Sequence, residues 1–185
     1  MGYIPICDKT VKYGGILMSF KEIKPSDING SVFTDIGSKW MLISAQKPDG
    51  SINTMTASWG TMGVLWNKNI FVCFVRPQRF THEFTEASDK ISVSFFGEEH
   101  REALRLCGRV SGRDCDKIAL AGITPIINEN GVGFEEAERI IYGKKIYVGK
   151  LDPKCFLSED IEKHYNGDYH TVYICEIEKI EEKEQ

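Results

Sequence analysis

Apolar positions along the chain recur mostly with a period of two, in short runs separated by turn chemistry. Lys39–Ala45 is one such run, ended by Lys47-Pro48-Asp49-Gly50, and the stretch Asn53–Gly63 follows as its hairpin partner. Trp66–Asn69 reads as a second turn, and Ile70–Val75 as a strand buried on both faces. Lys90–Phe96 alternates and is closed by Gly97. A strand and a turn are expected between Thr124 and Gly133. Arg139–Gly149 forms one long strand whose Gly143 marks a bulge or a barrel bend. Tyr169–Ile180 is an amphipathic strand leading into a charged tail.

Helical spacing is confined to short insertions. Pro77 stops a strand, and Phe80, Phe84 and Ala87 then recur at helical spacing, which predicts a helix beginning near Thr81. Glu98–Leu106 reads as a second helix, with Ala103, Leu104 and Leu106 inward and Gly108 as its C-cap. Asp116–Leu120 is a helical turn capped by Gly122. Residues 1–30 form an irregular arm with one strand at Ile16–Ile23.

A chain in which strands dominate and helices do not alternate with them predicts a mainly β fold: a closed or nearly closed antiparallel barrel, which hides strand edges. A doubly wound sheet fits worse, since no G-x-G-x-x-G follows a strand and no phosphate-binding G-x-x-x-x-G-K-[ST] occurs. The length of 185 residues predicts one domain spanning the whole chain. With 42% hydrophobic and 27% charged residues, neither disorder nor a membrane class is indicated. The absence of a long apolar run or a leader pattern gives a cytoplasmic protein as the expectation. A net charge of −4 argues against broad nucleic-acid binding, which needs a basic face. Six cysteines without a C-x-x-C pair favour reduced structural thiols, with no metal site expected.

Two segments carry candidate chemistry. Asn53–Gly63 places four hydroxyl side chains, two Met, a Trp and two Gly in eleven residues. A core strand would carry Val, Ile and Leu instead. Hydroxyls and open backbone N–H groups suit phosphate or ring carbonyls, Gly permits close approach, and Trp or Met can cover a planar ring. In Arg76-Pro77-Gln78-Arg79-Phe80-Thr81-His82, two arginines and Thr81 meet the start of a predicted helix. Orphan N–H groups and guanidinium forks there make an anion site. The same arginines also read as surface charges opposite Glu83 and Glu86.

Taken in one order, the Asn53–Gly63 stretch, the R-P-x-R-F-T-H segment, the strand Ser92–Phe96 and the Gly167-Asp168-Tyr169-His170-Thr171-Val172-Tyr173-Ile174 run resemble the flavin reductase-like, FMN-binding split-barrel proteins. The resemblance is strongest to their flavoredoxin branch and covers roughly residues 35–180. It implies that Thr56, Ala57, Ser58 and Trp59, extended by Thr61 and Gly63, line the isoalloxazine edge and the ribityl chain of FMN. Arg76, Arg79 and Thr81 fall where the family holds the FMN phosphate. Ser94, Phe95 and Phe96 fall where a strand end passes the flavin, and His170 where many members face the nicotinamide or substrate side. Ser58-Trp59 stands where an Asn and a small residue are usual.

The resemblance further implies an oxidoreductase passing electrons from NAD(P)H through FMN to an acceptor, acting as a homodimer. The alternative is a flavoredoxin-type carrier that exchanges electrons with a redox partner protein, for which an acidic surface suits docking to a basic partner. A third reading is a barrel that holds another phosphorylated ligand or haem. Pyridoxal phosphate would want a lysine in the pocket, and Lys117 is the nearest candidate.

Overall fold

The computed structural model describes residues 19–184, so most of the expected N-terminal arm, including 16–18 of its strand, lies outside the described residues. β2 (Met41–Gln46) and β3 (Ile52–Ala57) form the expected antiparallel hairpin, following a short β1 (Phe20–Glu22). Asp49 Oδ1 accepts the Ser51 N–H at 2.9 Å and Gly50 takes φ +86°, a left-handed conformation that glycine adopts without strain. β4 (Gly60–Leu65) and β5 (Lys68–Val75) form the next hairpin. Its tip residues Trp66 and Asn67 both have positive φ, as a two-residue primed turn demands.

The strands follow the order β3-β2-β6-β9-β10-β5-β4, with β6 Lys90–Phe95, β9 Arg139–Lys150 and β10 Thr171–Lys183, and every pairing is antiparallel. β1 adds to the far end of β10. The two outermost strands of this path, β3 and β4, are joined in the chain by Ser58 and Trp59 alone. The sheet therefore curls into a split β-barrel whose ends meet at that two-residue link.

Alternate residues point inward. Met41 and Ile43 of β2, Ile91, Val93 and Phe95 of β6, Phe71, Cys73 and Val75 of β5, and Tyr173 and Cys175 of β10 form the interior core. A second core lies outside β2, β6 and β9. There α3 (Arg101–Arg109), α4 (Lys117–Ala121) and a hairpin of β7 (Pro125–Asn128) and β8 (Gly131–Phe134) cover Leu42, Ile140 and Tyr142. Burial on both faces explains why β2 reads as a continuous apolar run. α1 (Val32–Thr34), α2 (Phe80–Ala87) and α5 (Glu159–Glu162) complete the helices among the described residues.

Several boundaries differ from the sequence reading. The Asn53–Gly63 stretch is two strands rather than one hairpin partner, because the chain turns at Ser58-Trp59 to begin β4. β5 is not buried on both faces: Val72 and Phe74 are half-buried because one side of the barrel opens there. Gly108 is inside α3, which continues to Arg109. A Cβ on Gly108 would lie 3.3 Å from Thr56 Cβ, so this glycine lets the helix approach β3 and does not stop it. Residues 125–134 hold two strands, and the expected charged tail is largely the end of β10, held by pairing with β1. The irregularity expected at Gly143 is present as a register shift against β10 between Ile177 and Lys179. A Cβ there would come within 2.5 Å of Phe71.

Candidate functional site

The link between β3 and β4 sits beside the C-terminal end of β5, where the antiparallel pairing of β5 and β10 also brings the start of β10. Val75 pairs with Thr171, so Arg76 leaves β5 next to His170. The result is a cleft of about 400 Å³ whose walls include Thr56, Ala57, Ser58, Trp59, Arg76, Arg79 and His170. Residues separated by more than a hundred positions are thus gathered by strand pairing alone. Met55, Phe74 and Gln78 also line it.

Its charge is positive. Arg79 stands at the N-cap of α2 and gives that helix no side-chain cap; the His82 N–H turns back to the Arg79 carbonyl at 2.9 Å, which leaves the Phe80 and Thr81 N–H groups to face an anion. One Arg79 N–H bonds the Gly108 carbonyl at 2.7 Å, and among the described residues no carboxylate forms an ion pair with this guanidinium. Burial, and then the charge of Arg76, lower its proton affinity somewhat. Arg76 is held more firmly. It pairs with Asp168, donates to the His164 carbonyl at 2.7 Å, and lies 5.2 Å from the Tyr165 ring centroid. Asp168 is held far below the usual carboxylate range by the Asn166 N–H and by Arg76.

His170 forms the inner wall, only 6% exposed. Trp59, Phe74 and Tyr165 surround its ring at centroid distances of 5.3, 6.3 and 5.5 Å, and Nδ1 is 3.1 Å from the Tyr165 hydroxyl. Desolvation, reinforced by Arg76, pushes its pKa down to about 4, so the imidazole is neutral at pH 7. A neutral ring has one N–H donor and one acceptor nitrogen.

A family model described as flavin reductase like domain matches residues 33–185, which takes in every element of this cleft. The chain belongs to the flavin reductase-like domain family. A comparison with curated proteins gives no match. Among solved structures, flavoredoxin of Desulfovibrio vulgaris (Miyazaki F) is 20% identical, with a TM-score of 0.60 over 76% of this chain and 67% of its own. The FMN-binding domain of a flavin reductases-like enzyme from Shewanella baltica gives 0.64 at 12% identity, over 89% and 78%. The styrene monooxygenase flavin reductase from Pseudomonas putida gives 0.57 at 14% identity, covering 77% of each chain.

Several other residues named from the resemblance do not line this cleft. Thr81 is buried, and its hydroxyl accepts from Asn53 Nδ2 at 2.8 Å. Ser94 is fully buried between β2 and β9, and among the described residues its hydroxyl has no hydrogen-bond partner. Phe95 and Phe96 belong to the two cores and border a different hollow, one rich in Glu136, Glu138 and Glu182. Thr61 faces a second hollow on the other side of Trp59. Thr56 lines the cleft, but its hydroxyl donates to the Leu104 carbonyl of α3. Tyr165, whose hydroxyl meets His170 behind the cleft, lines that second hollow, and Tyr142 is core.

Lys117 is not in this cleft. It is buried, with its amine donating to the Cys107 and Val110 carbonyls at 3.3 Å each, and so serves the C-terminal end of α3. Desolvation pushes its pKa down to about 8. Asp168 and Tyr165, which fix Arg76 and His170, were missed as partners in the sequence. The Gly167-Asp168 turn was the available signal, but nothing in the spacing links it to a residue 92 positions earlier.

Proposed function

We propose that this chain is an FMN-binding oxidoreductase of the flavin reductase type, passing electrons from NAD(P)H through FMN to an acceptor. One observation carries the reading: Arg79, half-buried and without a carboxylate partner among the described residues, opens beside an uncapped helix start into a cleft walled by Trp59 and His170. The residues present fit the group. A phosphate would complete the charge of Arg79 and Arg76 and bond the open N–H groups of α2. Ser58 and the backbone of the β3–β4 link offer polar contacts for a ribityl chain, and Trp59 and Phe74 offer apolar faces and exclude water. When bound, FMN supplies the redox chemistry.

This chain's own part is orientation. Asp168 and the His164 carbonyl fix Arg76, so its guanidinium keeps one geometry without loop closure. Neutral His170 can donate or accept one hydrogen bond but adds no positive charge at pH 7. Thr81, Ser94, Phe95 and Phe96 would act behind the cleft, holding the strands and helix that form it. We also propose a homodimer, supported by exposed Val64, Trp66, Tyr147 and Val148 on β4, its turn and β9; sedimentation at a single monomer mass would exclude it.

The similar structures include a flavoredoxin and a flavin reductase, and the second reading, a carrier serving a redox partner protein, differs in one measurable respect. Purified protein loaded with FMN is mixed with NADH or NADPH without oxygen. Bleaching of the flavin absorbance within seconds supports the reductase. An oxidised spectrum that persists with both nucleotides supports the carrier.

A further inference from the structure

The second hollow at Trp59 is about 640 Å³, a size typical of small-molecule sites, which run from about 300 to 1,000 Å³. It shares Ser58, Trp59 and Phe74 with the basic cleft, so the two are neighbours across one indole. Their chemistry is opposite. Where the cleft has Arg76, Arg79 and His170, no charged side chain among the described residues lines the hollow. Val32, Ile36, Met62 and Leu151 give it apolar walls, and Thr61 and Tyr165 contribute hydroxyl-bearing side chains. Phe33 stands at its rim 90% exposed and Trp59 is 43% exposed, two aromatic surfaces left open to water.

A phosphate or carboxylate here would lose water and find no cation, a cost that selects against anions. A neutral ring loses little on transfer, gains aromatic contact, and can hydrogen-bond a hydroxyl through one polar atom. We propose that this hollow is a binding site for a small neutral ring compound bearing a carbonyl or hydroxyl group, seated against Trp59. That such a compound is the electron acceptor rests on the flavin reading; that it binds does not.

Gly37 provides the test. It lines the hollow, and a Cβ added to it meets nothing within 4 Å, so Gly37→Leu adds apolar bulk at the wall of the hollow. Ser38, the next residue, is exposed and lines neither cavity, and Ser38→Leu is the control. The probes are 4-methoxybenzaldehyde and its carboxylate counterpart 4-methoxybenzoate, titrated calorimetrically into the full chain with and without FMN. The aldehyde is expected to bind at least about tenfold tighter than the carboxylate, and to lose about tenfold or more in Gly37→Leu but not in Ser38→Leu. Thr61→Lys, at an exposed position on the edge strand, is expected to reverse the preference in favour of the carboxylate, and it serves if Gly37→Leu does not fold. Equal binding of the two probes, an unchanged Gly37→Leu, or competitive displacement of the aldehyde by FMN would overturn the proposal. Aldehyde binding with this selectivity in a protein that takes up no FMN would leave the hollow standing and remove the flavin reading; FMN uptake without aldehyde binding would do the reverse.

Discussion

Arg139 on β9 and Arg79 at the start of α2 are both arginines drawn out of bulk water, and their surroundings differ in a way that separates structure from function. Arg139 donates twice to Glu182, at 3.2 and 2.7 Å, bonds the Asn29 carbonyl at 3.0 Å and lies 3.5 Å from Asp35. Its charge is matched inside the fold. Arg79 has one carbonyl and a second arginine for company. A fold gains nothing from leaving a cation in that state, so an anion from outside is the natural completion.

The largest effect should come from Arg139→Ala. Removing it leaves Glu182 without its cation and Asp35 with Lys39 alone, and loss of one partner of a fully buried pair costs about 3–5 kcal/mol, the upper bound for these partly buried groups. Urea unfolding should show this loss, while any variant that folds should bind FMN as the parent does. Arg79→Ala should invert the pattern: FMN affinity falls by about 1.5–3 kcal/mol, the value of a charged hydrogen bond, while the unfolding midpoint moves little. Equal stability losses in both variants would break the distinction.

A smaller effect concerns His170. Its folded pKa of about 4 lies below its ordinary 6.5, so between those values the unfolded chain binds a proton that the folded chain refuses. This contribution to stability is complete above pH 6.5 and is lost as pH falls toward 4. Urea midpoints at pH 7 and pH 5 should therefore differ more in the parent than in His170→Gln. The same pH response in both would place the acid sensitivity elsewhere.

Much of this was legible in the sequence, for reasons that differ by residue. Period-two runs and turn residues such as Asp49-Gly50 identify the strands because those signals are local. Thr56–Trp59, Arg76, Arg79 and His170 converge on one cleft, since each follows or precedes a strand whose pairing fixes its place. Ser94, Phe95 and Phe96 show the limit. Alternation reveals that they form a strand, but only α3 and the β7–β8 hairpin decide that both its faces are covered. Gly108 carries a helix-stop signal that tertiary packing against Thr56 overrides. The bond between Arg76 and Asp168 depends on the barrel closing first.

The most direct test of the central claim compares FMN with riboflavin, which lacks only the phosphate, by quenching of flavin fluorescence in parent protein and in Arg79→Ala. The account predicts that the parent binds FMN at least about tenfold tighter than riboflavin, and that most of this difference disappears in the variant. Equal affinity for the two flavins in the parent, or a phosphate preference that survives Arg79→Ala intact, would contradict it.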